Sequence, residues 1–412
     1  MPDERVETLV IGGGQAGLTM SHRLKQRGIA HLVLERHRIA ERWRSERWDG
    51  LRFQFPNWSV RLPDFDFPHD DPDAFATAGE ILRFIEAYAA FVDPPIRCGV
   101  AVTRLYRDGN SFVAETKDGA IAADNVVVAT GPYQRPLMPD LLRNEAGLFQ
   151  VHASDYTNSE KIPEGAVLVV GAGASGAQIA EELSRAGRRV FLAIGQHSRM
   201  PRRYRGRDLT WWFEALHLFD MLPEQRMTKV NPSISGAYGG RTIDFRDFAD
   251  EGITLLGRVT AAHDGKLDIA GGLAESLAQG DLVHAFLLGM MDDYVQKRGL
   301  DLPEDSAERA RRPDPPCVTA PIRTLDLRAE NINAVIWATG YSLDFSWIDI
   351  PVFGANGEPL HRGGVSEVPG LYFLGLQWLS RMKSAFLSYV GDDAADLADH
   401  IAGRRKAARS LV

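Results

Sequence analysis

The sequence predicts an α/β protein built on two Rossmann-like dinucleotide-binding modules. Two observations carry that expectation. A short apolar strand, Glu7 to Ile11, runs into Gly12-Gly13-Gly14-Gln15-Ala16-Gly17 and then into a helical run closed by Gly28. The same order returns at Ala166 to Val170, with Gly171-Ala172-Gly173-Ala174-Ser175-Gly176 and a helical run closed by Gly187. The first glycines of the two runs lie 159 positions apart. A strand, a GxGxxG turn and a helix form the start of a βαβ unit.

Each glycine has a separate task. The first permits the tight turn out of the strand, the second lets backbone N–H groups approach a pyrophosphate, and the third lets helix and strand pack closely. The helix start then faces the anion with its partial positive charge. Gly12, Gly14 and Gly17, with Gln15 and Ala16 between them, are the candidate binding residues of the first module. Gly171, Gly173, Ser175 and Gly176 are those of the second.

The remaining elements follow from hydrophobic pattern. Strands are predicted at His31–Leu34, Arg97–Thr103, Phe112–Thr116, Val126–Ala129, Ala334–Trp337 and Leu371–Leu374. Helices are predicted at Glu80–Phe91, Leu209–Phe219, Glu275–Arg298 and Asp392–Arg404. The segment Leu302–Pro321, rich in proline and charge, reads as a connector.

Composition bounds the function. With 47 basic and 55 acidic residues the formal charge is -8, which offers no basic excess to meet nucleic-acid phosphates. The two cysteines, Cys98 and Cys317, form no CxxC pair, so a disulfide framework, a zinc ribbon and a dithiol redox pair are not expected. No metal site is expected. Free thiols, an N-terminus that enters a strand directly and the lack of a long apolar run read as a cytoplasmic protein without a membrane span. The oligomeric state is not legible.

The two glycine turns differ downstream. Glu35 lies 18 positions after Gly17, where a carboxylate accepts hydrogen bonds from ribose hydroxyls. Arg36 follows it. In the second module that offset falls on Ile194, and a basic loop follows, Gln196 to Arg203. Guanidinium groups bind a phosphate bidentately where an acid repels it. The second module is therefore expected to prefer NADP(H), with Arg199, Arg203 and His197 as candidates for the 2′-phosphate.

On these residues and several further motifs, the chain resembles the class B flavin monooxygenases, which include flavin-containing monooxygenases, Baeyer–Villiger monooxygenases and YUCCA enzymes. Val128-Ala129-Thr130-Gly131 and Trp337-Ala338-Thr339-Gly340-Tyr341 look like the family's paired ATG motifs. Trp43, Arg44 and Trp48 look like its segment beside FAD. The run Phe149 to Tyr156 matches the HxxxY half of its linker fingerprint through His152 and Tyr156. Gly370–Leu376 and Asp392 look like its last flavin-contacting strand and helix. Phe53 to Trp58 resembles the segment that places an amide over the flavin, with either Gln54 or Asn57 as that amide.

The resemblance implies the three-layer ββα fold, with the NADP domain inserted into the FAD domain. It places the FAD domain at 1–157 and 331–412 and the NADP domain at 158–330. It implies FAD at the first module and NADP(H) at the second, with Thr130, Gly131, Thr339 and Gly340 near the cofactors. The implied activity is NADPH- and O2-dependent oxygenation of a small organic substrate at nitrogen, sulfur or carbonyl, through a C4a-peroxyflavin. A flavin reductase passing electrons to a protein or quinone is the alternative.

Overall fold

The computed structural model describes residues 2, 4–145, 147–226 and 232–409. Its core is two separate parallel sheets. In the first, strands Ile96–Cys98, His31–Glu35, Glu4–Ile11, the second half of Gly119–Val128 and Leu371–Phe373 lie side by side and parallel. In the second, all five strands are parallel, in the order Phe149–His152, Ile332–Trp337, Ala166–Val170, Val190–Ala193, Thr254–Leu256. The chain leaves the first sheet after Val128, builds the second, and returns at Ile348–Asp349, which pairs with Leu105 and Tyr106, before Leu371–Phe373 joins the parallel strands. The insertion expected from the resemblance is therefore present.

An antiparallel meander, Val102–Asp108, Ser111–Thr116 and the first half of Gly119–Val128, closes the first module. It supplies the additional β layer of the ββα arrangement. In the second module a three-stranded sheet, Val259–His263, Lys266–Ile269 and Thr324–Asp326, plays the same part.

Most predicted elements stand within a few residues of their expected ends. The helix expected at 80–91 runs over Ala78–Val92, begun by a capping box in which Thr77 and Glu80 satisfy each other's backbone N–H groups. The run expected as one strand over 97–103 is broken at Gly99, whose φ of 76° turns the chain between two strands. The helix expected to 219 stops at Ala215, and a 3-10 turn follows.

Five strands of the second module's two larger sheets were not expected, Thr324–Asp326 among them. Thr254–Leu256 and the hairpin at 259–269 are short, polar on one side and flanked by glycine. Phe149–His152 falls in a stretch read as linker. It pairs with Ile332–Trp337, so both strands belong to the second sheet, on either side of the positions 157 and 331.

Candidate functional site

The two glycine turns are superimposable in their logic. Gly12 has φ +118°, and a Cβ there would meet the Ala129 carbonyl oxygen at 2.5 Å. Gly171 has φ +105° and is overlain in the same way by the carbonyl of Ala338. Gly17 and Gly176 in turn pack on the carbonyls of Gly12 and Gly171, closer than any Cβ would allow. Each ATG motif is thus the lid of one glycine turn, contributed by the neighbouring parallel strand of the same sheet. The middle glycines differ. A Cβ on Gly14 or Gly173 would meet nothing within 4 Å. That open space above a helix start is what a pyrophosphate requires.

A cleft of about 450 Å³ opens from Gly14. Gly12, Gln15, Ala16, Glu35, Arg36, Thr130 and Gly131 line it. Glu35 is buried and accepts hydrogen bonds from the backbone N–H of Gly13 at 2.6 Å and of His37 at 2.8 Å. These two bonds fix its carboxylate at the end of His31–Glu35, where ribose hydroxyls are expected. Gln134 braces the ATG turn, donating to Thr130 Oγ1 at 3.0 Å and to the Gly131 carbonyl at 2.8 Å. The far end is apolar, formed by Phe53, Phe55, Phe386 and Leu387. A polar diphosphate-binding end and an apolar end in one cleft fit a flavin dinucleotide.

Trp43 lines this cleft, with the Arg47 guanidinium 5.1 Å from its ring centroid. Two neighbours do not. Arg44 points outward and pairs with Glu86. Trp48 is 3% exposed and packs into the core of the second module. The chain crosses between modules here, since Asp49 N donates to the Thr157 carbonyl at 2.9 Å. Asp392 also lies off the cleft, its half-exposed carboxylate 2.9 Å from Lys383. The cleft wall comes instead from the loop just before that helix, where Ala385 accepts a 3.2 Å bond from Gln15.

Between the two amides the geometry distinguishes. Gln54 lines the apolar end of the cleft. Its backbone carbonyl accepts a 2.7 Å bond from Arg202 of the second module. Asn57 lies off the cleft, buried, and spends its amide N–H on the Asp71 carbonyl at 3.0 Å.

The second cleft, about 1730 Å³, starts at Gly171 and runs along the ends of the second sheet. His197 and Thr339 line it. Gly173, Ser175, Gly176 and Gly340 lie beside the turn without lining the cleft. The Gly340 carbonyl instead accepts a 3.0 Å bond from His152 Nε2. Burial lowers the pKa of His152, keeping its imidazole neutral, so Nε2 donates and Nδ1 accepts from Ser154 N. His152 thus locks Phe149–His152 onto the second ATG turn.

The basic loop is where the structure departs most from expectation. Arg199 is buried, pairs with Asp244 and lies 3.3 Å from Asp281. Arg203 lies outside the cleft and donates to the Gly239 carbonyl at 3.1 Å. His197 is 5% exposed, and burial lowers its pKa to about 4. It sits against Gly280, where a Cβ would meet its Cε1 at 2.5 Å. Neither arginine faces the cleft, and His197 carries no charge near neutrality. Arg199 is drawn inward by Asp244 and Asp281, far away in sequence, because the buried Asp244 carboxylate requires a cation.

The far end of the second cleft is apolar, with Met200, Phe213, Leu218, Met221, Trp378 and Met382. A wall of rings stands between it and the apolar end of the first cleft. Phe55 lies 5.2 Å from Phe386 and 6.3 Å from Phe219, centroid to centroid. The loop carrying Phe386 is pinned to the second module by Met382 N, which donates to the Met221 carbonyl at 2.9 Å. Sequence reasoning missed Tyr133, Gln134, Asp344 and Trp347 in the first cleft. They carry no local motif and converge from distant parts of the chain.

Residues 9–210 match the family model described as pyridine nucleotide-disulphide oxidoreductase. An uncharacterized CzcO-like oxidoreductase of Geobacillus kaustophilus is 34% identical over 400 residues, spanning 96% of this chain and 98% of that protein. The chain belongs to the CzcO-like oxidoreductase family. This CzcO-like chain is also 26% identical over 407 residues to an indole-3-pyruvate monooxygenase of Oryza sativa, covering 90% of this chain and 88% of that one. A flavin-containing monooxygenase structure from Stenotrophomonas maltophilia shares the fold, with a TM-score of 0.67 at 18% identity, over 97% and 99% of the two chains. The CzcO-like chain is thus an oxidoreductase whose FAD- and NAD(P)H-binding fold is related to flavin monooxygenases.

Proposed function

We propose that the protein is an NADPH- and O2-dependent flavoprotein monooxygenase acting on a small organic substrate at a nitrogen, sulfur or carbonyl centre. The observation that carries this reading is the meeting of the two clefts at one wall of rings, Phe55, Phe219 and Phe386, with no thiol at the junction. Cys98 and Cys317 line neither cleft, so no thiolate stands there to relay electrons to a disulfide. The related monooxygenase sequence points the same way.

FAD bound in the first cleft supplies hydride acceptance and O2 activation. The chain supplies the surroundings. Gly14 and the helix start of Gln15–Gln26 hold the pyrophosphate, and Glu35 orients the ribose. Phe53, Phe55 and Phe386 exclude water from the flavin end. Gln54 presents its amide there, held in place through its backbone by Arg202, and orients the oxygen acceptor. The apolar end of the second cleft takes the substrate. Its four methionines, Met200, Met221, Met290 and Met382, make a surface that adapts to more than one shape.

The test is NADPH-driven O2 uptake by flavin-loaded protein with a panel of amines, sulfides, ketones and 2-oxo acids, with products identified by mass spectrometry. One oxygen atom from O2 in the product supports the reading. Slow reoxidation in air with rapid reoxidation by an electron-carrier protein or quinone overturns it in favour of a reductase.

A further inference from the structure

The arginines after Val190–Ala193 are turned away from the second cleft. Arg199 serves Asp244 and Asp281. Arg202 is 3% exposed and holds Asp208 at 2.6 Å. Arg203 binds backbone carbonyls outside the cleft.

Basic charge enters the cleft from another element. Arg258 lines it, is exposed, and has no ion pair among the described residues. It stands two positions beyond Thr254–Leu256, the strand next to Val190–Ala193, at the carboxyl edge where Rossmann sheets hold their ligands. Arg258 also begins the three-stranded sheet of the second module, immediately before Val259–His263. Arg323 occupies the matching place before the third strand, Thr324–Asp326.

The central strand fixes both. Ala270 N donates to the Arg258 carbonyl and Ile269 N to the Arg323 carbonyl, each at 2.8 Å. The two arginines therefore flank the same end of one sheet. The Arg323 guanidinium lies on Gly271, where a Cβ would meet Nη1 at 2.5 Å. Arg323 likewise is exposed and has no ion pair among the described residues. Gly271 and Gly272 line the cleft and lead into the 26-residue helix Leu273–Arg298, whose first turn adds partial positive charge. Glu275, in that turn and also lining the cleft, opposes an anion.

We propose that Arg258 and Arg323 read the 2′-phosphate that distinguishes NADPH from NADH, with Glu275 limiting the preference. This rests on the reading of the second cleft as the nicotinamide dinucleotide site. It assigns cofactor choice to the end of Thr254–Leu256 and the three-stranded sheet beside it, not to the loop after Val190–Ala193.

Calorimetric titration of flavin-loaded protein with 2′,5′-ADP and with 5′-ADP tests it without turnover. The wild type binds 2′,5′-ADP more tightly. Arg258→Ala and Arg323→Ala each weaken 2′,5′-ADP by roughly 10- to 100-fold, the loss of charge-assisted bonds, and leave 5′-ADP nearly unchanged. Arg258→Lys retains part of the preference. Glu275→Gln tightens 2′,5′-ADP alone, and Arg203→Ala changes neither. A preference that survives Arg258→Ala and Arg323→Ala, or disappears in Arg203→Ala, overturns the assignment. So does equal binding of the two fragments by the wild type. Binding of neither fragment overturns the dinucleotide reading of the cleft itself.

Discussion

Arg202 joins the second module to the apolar end of the first cleft, and its removal has a calculable cost. The residue is 3% exposed. Its Nε lies 3.0 Å and its Nη2 2.6 Å from Asp208 Oδ2, while Nη1 donates to the Gln54 carbonyl at 2.7 Å. Arg202→Met keeps the stem but removes the guanidinium that stands 4.6 Å from the Phe75 ring centroid, and leaves the Asp208 carboxylate buried without its cation. Breaking such a buried pair from one side costs about 3–5 kcal/mol. The orphaned Gln54 carbonyl adds about 1 kcal/mol or more. Asp208 keeps its 2.8 Å bond from Thr210 N, which offsets part of the loss. We expect a net destabilisation of about 4 kcal/mol. The double variant Arg202→Met with Asp208→Asn should recover more than half, because no uncompensated charge remains. Guanidinium unfolding of the flavin-loaded protein, followed by flavin fluorescence and far-UV circular dichroism, measures both. A single variant that loses less than about 1 kcal/mol, or a double variant no more stable than the single, refutes the reasoning.

Gly14→Ala should fold, since its Cβ meets no protein atom, yet lose bound FAD as read by visible absorbance; Gly17→Ala should lose the fold itself in circular dichroism. Glu35→Gln should weaken FAD roughly 10- to 100-fold in apoprotein reconstitution, by loss of charge-assisted ribose bonds. His197 gives a pH dependence with a fixed sign. Its folded pKa of about 4 lies below the ordinary 6.5, so its stabilisation is full above 6.5 and is lost as pH falls through 4. Between pH 7 and 5 that amounts to about 2 kcal/mol, and His197→Leu should narrow the stability difference between those pH values by a similar amount. Gln54→Ala should lower substrate oxygenation and raise hydrogen peroxide release while FAD content holds, whereas Asn57→Ala should act chiefly on stability.

The fingerprints were legible because they are local. A glycine with φ near +118°, an uncovered Gly14 and a helix that begins at once are properties of six consecutive residues. Glu35 was legible because a βαβ unit has a nearly fixed length, so its second strand ends at a predictable offset. The lids were legible as motifs, but only the sheets show that Ala129 and Ala338 each cover the first glycine of their own module. Strand pairing decides that, and pairing joins Ala166–Val170 to Ile332–Trp337 across more than half of the second module.

Charged side chains gave the least reliable reading. The sequence alone determined that this chain carries two dinucleotide turns, with an acid after one and a basic loop after the other. The tertiary structure decided where those bases point. Asp244 and Asp281 draw Arg199 into the interior, Asp208 claims Arg202, and the cleft receives Arg258 from a sheet the sequence did not announce, with Arg323 beside it against Gly271. The same holds for the amides, since Gln54 reaches the first cleft and Asn57 turns to Asp71. Backbone conformation is set by neighbours in the chain, whereas a long side chain goes where buried charge must be neutralised, and its partner stands anywhere in the sequence.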